Sequence, residues 1–295
     1  MSSLTAKAFA PGNISCAFVI RKNKNPAKSG SLGFGFTINK GAIVEIKKMN
    51  ANKMINNKIK KAANMENKNT IYFNNKKISF PTVNSVIEKL TEEKVIVNIK
   101  SELPLGAGFG LSGASALATA YALDKLLKLK KSKKELALIA HIAEVENLTG
   151  LGDVINQYYG GFLVKYKPSY MFKAEKLPIK NKTVHYRYFS KLDTKKVISD
   201  KKIKNKINKA GLKSLNKVKK LHRGNTNLKN LVKISKEFAM GSGLLKSGNV
   251  KNIIKKIEDN KGNASMIMLG NAVFSDKKFK GSKKLVIKDK GAHII

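Results

Sequence analysis

Short runs of apolar residues interleaved with polar ones, each closed by a glycine-containing turn, fill the first part of the chain. Residues 4–10, 32–38, 42–46 and 95–99 read as strands. The period then changes. From residue 112 to residue 129 small and apolar side chains run almost without interruption, the pattern of a buried helix. Ser132 and Glu135 follow as a capping box ahead of Leu136, Leu138, Ile139 and Ile142, which predicts a second helix ending near Asn147. Past Gly160 and Gly161 a strand over 162–166 leads into a stretch bearing Pro168 and Pro178. That stretch is the expected connection between two domains, 1–167 and 168–295. The remainder reads as a strand at 184–189, helices around 206–220, 228–240 and 250–258, and β-like runs near Ala264 and Lys284. The expected class is therefore α+β. Lysine- and asparagine-rich stretches at 21–28 and 50–77 read as exposed loops or helix faces, and there is no internal repeat.

Composition narrows the class. With 295 residues, 42% hydrophobic and 26% charged, the chain has the profile of a globular protein and the length for a substantial core. No run approaches the length of a membrane span, and the first residues lack the apolar stretch of a secretory signal, so a cytoplasmic location is expected. The single cysteine, Cys16, reads as a small core residue. A net charge of +40 raises the question of nucleic acid. Of the 59 basic residues, however, only Arg21, Arg187 and Arg223 are arginine, and the lysines are scattered among asparagines. The charge therefore reads first as a compositional bias of solvated surfaces, and a nucleic-acid partner is not expected. The positive field does favour encounter with anions such as ATP and a carboxylate substrate.

Candidate chemistry begins with the segment PLGAGFGLSGASA, placed between a predicted strand and a predicted helix. Gly106, Gly108, Gly110 and Gly113 allow close approach of backbone amides to a phosphate, and the helix start adds unpaired N–H groups. Candidate ATP contacts are Pro104, Gly106, Gly108, Phe109, Gly110, Leu111, Ser112, Gly113 and Ala114. Ser112 has two readings: it caps the helix, or its hydroxyl coordinates magnesium. The segment lacks the Gly-Lys-Ser/Thr ending of a P-loop and the acidic ribose contact of a dinucleotide fold. The second constellation is HIAEVENLTGLGDVINQYYGG, residues 141–161. Glu144 lies late on the second helix and Asp153 in a glycine-flanked turn. One could hold Mg²⁺ while the other orients or deprotonates a hydroxyl. Taken singly, they read as an exposed helix acid and a turn residue; beside a phosphate loop the kinase reading gains weight. His141 reads as packed or as orienting Glu144, and His185, His222 and His293 have no metal-ligand spacing.

The Pro-x-x-x-Gly-x-Gly-x-Ser pattern resembles the ATP-phosphate loop of the GHMP kinases, which include galactokinase, homoserine kinase and mevalonate kinase relatives. Three more segments extend the resemblance over nearly the whole chain. KAFAPGNISCAF, residues 7–18, resembles the first motif of that family, a strand leading to a Pro-Gly turn, with Asn13 where several members have lysine. GNASMIMLGNAVFS, residues 262–275, resembles the third motif. Together with GSLGFGF at 30–36 and TGLGD at 149–153, it is similar to the pantoate kinases. The resemblance implies a GHMP kinase fold: an N-terminal domain like ribosomal protein S5 domain 2, a ferredoxin-like C-terminal domain, and a site between them. It further implies ATP and Mg²⁺ as cofactors, Ser112 and Glu144 as metal ligands and Asp153 as the catalytic acid–base group. Asn13, Ser31, Gly33 and Gly270 would contact the substrate, and the product would be 4-phosphopantoate for coenzyme A synthesis. Pantoate kinases often carry histidine near position 13 and arginine near position 32, both absent here. Lys28, Arg21 or a second-domain residue is then expected to receive the substrate carboxylate, with Lys7 a further source of charge. Another small alcohol, such as homoserine or mevalonate, remains an alternative acceptor, as does an RNA-binding protein that has kept the motifs without activity. The sequence leaves open whether the chain works as a homodimer.

Overall fold

A long antiparallel pair of strands organises the first half. The structure, a computed structural model, describes residues 5–49, 69–179, 182–191, 201–221 and 226–295. The first residue of the strand expected at 4–10, most of the stretch at 50–77, and His222 and Arg223 lie outside the described residues. β1 (Thr5–Arg21) and β2 (Gly30–Lys48) pair along their lengths, connected through a 3-10 turn at Pro26–Lys28. The Pro-Gly turn expected near residue 11 is not a turn. Pro11 and Gly12 lie inside β1, where register shifts between Pro11 and Asn13 and between Ser15 and Ala17 absorb the missing amide and bend the strand. Opposite, Gly41 lets the two backbones close up: a Cβ there would stand 2.1 Å from the Ala10 carbonyl oxygen. A glycine that reads as a break in the sequence thus serves as a contact between strands.

β3 (Thr70–Phe73), β4 (Lys76–Lys77), α1 (Pro81–Leu90) and β5 (Val95–Lys100) come next. The sequence reading assigns no helix at 81–90, yet Pro81 stands in the first turn and Val83, Val86, Ile87 and Leu90 recur at helical spacing on the buried face. β5 pairs antiparallel with the end of β2 and parallel with β3. α2 (Leu111–Leu127) crosses this sheet and is buried nearly all round. Ala114, Ala116, Ala118, Ala120 and Ala122 are wholly buried, and their small side chains let it lie close to its neighbours. α3 (Lys133–Glu146) starts on Ser132 with both bonds of the expected capping box: the Ser132 Oγ accepts from the Glu135 N–H at 3.2 Å, and Glu135 Oε2 accepts from the Ser132 N–H at 2.8 Å. α4 (Asp153–Tyr159), β6 (Phe162–Lys165) and β7 (Glu175–Leu177) follow, with β6 paired to β2 over residues 33–36 and β7 to β6.

The second half carries β8 (Thr183–Ser190), α5 (Lys201–Lys220), α6 (Leu228–Gly241), α7 (Gly248–Asp259), β9 (Ala264–Met266), β10 (Asn271–Ser275), β11 (Lys283–Val286) and β12 (His293–Ile294). Four of these strands form an antiparallel sheet in the order β11-β8-β10-β9. β12 instead returns to β1, within an eight-stranded first sheet ordered β12-β1-β2-β5-β3-β4 with β6 and β7 branching from β2. The sheets meet where Phe36 stands edge-on to Phe274 at 5.6 Å and the Thr37 hydroxyl donates to the Lys288 carbonyl at 2.7 Å. The expected α+β class holds. Among the described residues no helix is long and apolar enough to cross a membrane.

Candidate active site

The loop between β5 and α2 is shaped by glycine. Gly106, Gly108 and Gly110 have φ of 78°, 83° and 61°, a region that side chains disfavour. Gly110 is the N-cap of α2, and no side chain caps the helix, so its first-turn amides stay available beside the cavity that Gly110, Leu111 and Ser112 line. Ser112 therefore does not cap. It sits inside the first turn, because the helix begins one residue earlier, and its Oγ donates to Thr82 Oγ1 at 3.3 Å. The other face of the loop is held from behind. A Cβ on Gly108 would lie 2.6 Å from the Met268 carbonyl oxygen, and the Phe109 ring stands edge-on to Tyr186 at 5.2 Å.

Two carboxylates converge on this loop. Asp153 opens α4, and its Oδ1 accepts from Asn13 Nδ2 at 2.7 Å and from Ser15 Oγ at 3.2 Å. It lines a cavity of about 310 Å³ together with Gly106, Gly108, Phe109 and Ser112. Glu144, near the end of α3, is fully buried and neither of its carboxylate oxygens has a hydrogen-bond partner. Burial drives the Glu144 carboxyl well above its ordinary range, and the Asp153 charge adds to that; the nearby hydroxyls of Ser112 and Thr149 and the Lys165 ammonium oppose it. Those hydroxyls act from close by without bonding to it, for Ser112 is turned to Thr82 and Thr82 shares a 3.0 Å hydrogen bond with Thr149. Asp153 is raised as well, by burial, against the pull of Lys165, Asn13 and Ser15. A buried carboxyl with both oxygens unmet is a deficit that a hard cation would fill, although Glu144 stands against Gly113 and Gly150, behind the cavity wall rather than on it. Ser112 supplies a neutral oxygen on the cavity wall. No group of three or more His, Cys, Asp or Glu gathers among the described residues.

Lys165 is the site residue that the sequence reading misses. At the end of β6 its side chain is buried, with Nζ donating to the Gly152 carbonyl at 2.7 Å and to Asn156 Oδ1 at 3.0 Å. Asn156 Nδ2 in turn donates to Asn13 Oδ1 at 2.9 Å, so a continuous hydrogen-bonded chain joins Lys165, Asn156, Asn13 and Asp153. Burial pulls the Lys165 ammonium down to about 8, while Asp153 and Glu144 hold it up. The cations offered by the sequence reading stand elsewhere: Lys28 and Arg21 are exposed, and Lys7 pairs with Glu45 at 2.7 Å across β1 and β2. The signal lay in the run FLVK, a lysine in an otherwise apolar strand.

The other expected residues divide. Ser31 and Gly33 line the cavity. Asn13, expected at the substrate, is wholly buried behind Asp153 and holds it in place. Pro104, Gly113, Ala114 and Gly270 do not line the cavity. Gly113 packs against Glu144 and Gln157, Ala114 is buried in α2, and a Cβ on Gly270 would meet the Ala107 carbonyl oxygen at 2.1 Å. His141 is buried. Because a carbonyl can only accept, its Nε2–H donates to Ser29 O at 3.0 Å, leaving Nδ1 without a partner, and burial pulls its pKa down to about 4.

Known proteins resemble this chain in sequence and in fold. The family model described as the GHMP kinases N terminal domain matches residues 78–161, a span that holds α1, the glycine loop, Glu144 and Asp153. A pantoate kinase of Methanocaldococcus jannaschii is 36% identical over 271 residues, covering 90% of this chain and 90% of the relative. A pantoate kinase of Methanospirillum hungatei is 28% identical over 275 residues, covering 91% and 86%. A solved structure described as a phosphotransferase related to the coenzyme A biosynthesis pathway superposes with a TM-score of 0.81 at 26% identity, covering 98% of each chain.

Proposed function

The chain belongs to the pantoate kinases of the GHMP superfamily, and from that premise we propose that it transfers the γ-phosphoryl group of ATP to the primary hydroxyl of pantoate, giving 4-phosphopantoate for coenzyme A biosynthesis. One observation carries the reading: a single cavity is lined by the glycine loop, Ser112, Asp153 and Lys165. These are a phosphate cradle, an oxygen ligand, a base and a cation for a carboxylate.

The amides at the start of α2 and around Gly106 receive the phosphate oxygens. Glu144 and Ser112 would hold Mg²⁺, which when bound offsets phosphate charge. Asp153 accepts the proton of the pantoate hydroxyl as its oxygen attacks phosphorus and ADP leaves. Its burial lifts its affinity for that proton, and Asn13 and Ser15 fix the direction in which Oδ1 points. The Lys165 ammonium receives the pantoate carboxylate, with Ser31 beside it on the wall. This assigns the carboxylate contact to β6 rather than to Lys28 or Arg21. The test is ADP release from Mg-ATP with pantoate, homoserine and mevalonate, together with the mass of the product. Turnover on pantoate with formation of a monophosphate is expected; turnover confined to another alcohol overturns the substrate and leaves the kinase.

A further inference from the structure

A second cavity, of about 370 Å³, lies in the second half of the chain, away from the glycine loop. Its wall is cationic. Arg187 comes from β8, Lys256 from α7, and Lys277, Lys278 and Lys280 from the loop after β10, and no acidic side chain lines it. None of these five cations belongs to an ion pair among the described residues. Of the nearby acids, Glu258 is neutralised by Lys236, whose Nζ donates to its two oxygens at 2.6 and 2.7 Å, whereas Asp276, held by the neutral Asn263 at 2.7 Å on each oxygen, and the exposed Asp259 keep their charge outside the lining. His185 on the same strand is held below its ordinary range by burial and then by the charges of Lys278 and Lys284.

A lysine-rich surface alone would be unremarkable in this sequence. Two features set the cavity apart. One of only three arginines in the chain stands in it, with its guanidinium 5.3 Å from the centre of the Phe189 ring, so a planar fork is held in place on β8. Ile257 and Phe279 supply an apolar part of the lining beside the charges. Mutual repulsion among five cations with no ion-pair partner in the wall is relieved by an anion of more than one charge, and the arginine fork matches phosphate oxygens two at a time. The apolar wall takes the organic portion, and the volume falls within the range of small-molecule sites.

We propose that this cavity is a second ligand site, which binds a phosphate monoester of a small organic molecule, and not a magnesium-chelated nucleoside diphosphate, independently of the kinase site. The proposal does not depend on the substrate of the kinase site. Calorimetric titration of the full chain with phenyl phosphate, with saturating MgADP filling the glycine-loop cavity, tests it. One equivalent should bind despite ADP, roughly tenfold or more tighter than inorganic phosphate. Arg187→Gln and Lys256→Gln should each weaken binding several-fold, while Lys201→Gln on the remote helix α5 leaves it unchanged. Lys256 is exposed, so that variant stays informative if Arg187→Gln fails to fold. Absence of ADP-insensitive binding, equal affinity for phenyl and inorganic phosphate, or equal losses in all three variants overturns the proposal.

Discussion

Replacing Lys165 by methionine keeps the length of the side chain and removes only its charge and donors. In the unliganded protein two effects oppose each other. The Gly152 carbonyl and Asn156 Oδ1 lose a donor, at a cost of about 1 kcal/mol each or somewhat more. Against that, an ammonium drawn from 10.5 to about 8 by burial carries a penalty of roughly 3 kcal/mol in its charged form, which methionine does not. The thermal midpoint should therefore move little. Substrate binding should not be spared. Loss of a charge-assisted contact to a carboxylate at a largely desolvated site is worth about 2–3 kcal/mol, so KM for pantoate should rise roughly 30- to 150-fold while KM for ATP is unchanged. The pH profile gives the sign independently. Below about pH 8 the free enzyme carries the ammonium, and any acid limb comes from protonation of Asp153 and Glu144, whose carboxyls burial raises; above about pH 8 the charge is lost and kcat/KM falls, by about tenfold per pH unit at the limit. Steady-state ADP release across pH 6 to 10 reads both effects, and in Lys165→Met the limb above about pH 8 should vanish. A pantoate KM close to that of the parent, or an equal rise in the KM for ATP, would refute the carboxylate assignment.

Asp153→Asn preserves shape and removes the proton acceptor, so ATP should still bind while kcat falls by roughly a hundredfold or more; a smaller loss points to orientation of the hydroxyl instead. Single-turnover kinetics with a separate nucleotide-binding measurement separate the two. Glu144→Gln replaces a buried carboxyl whose oxygens have no donors, so the apo protein should be about as stable as the parent while half-maximal turnover needs roughly tenfold or more Mg²⁺. An unchanged Mg²⁺ dependence would exclude Glu144 as a ligand. His141, at about 4 when folded against about 6.5 when unfolded, leaves the unfolded chain with more bound protons between those values. Stability must then fall as pH drops through that window, by up to about 3 kcal/mol. His141→Gln should flatten this part of the denaturation profile relative to the parent, and an identical slope would contradict it. Glu144 and Asp153, raised in the fold, act in the opposite direction in both proteins and cancel in the comparison.

Local signals were the legible ones. The Ser132–Glu135 box is specified by side chains three residues apart, and the structure forms both of its bonds. The glycine loop declared itself by position, between an alternating run and an unbroken small-residue run. What the sequence hid was decided at long range. Pro11, Gly12 and Gly41 look like punctuation but mark bends and close contacts within a strand pair, because the partner backbone lies 30 residues away. Asn13 looked like a substrate contact because the resemblance fixes its address but not its direction; its amide is committed to Asp153 and Asn156. Lys165 passed unnoticed among many lysines, since burying it requires acceptors from Gly152 and Asn156 that only the folded chain assembles. Ser112 could not be resolved between cap and ligand until the start of α2 was known to the residue.

The nucleotide loop is made by one half of the polypeptide and kept in form by the other. Phe109 rests against Tyr186, Gly108 abuts the Met268 carbonyl, and Gly270 presses on Ala107. The segment recognised as a family unit, residues 78–161, is thus recognisable without being separable. A gene split or fused between the halves would lose its nucleotide affinity unless the two products reassociated.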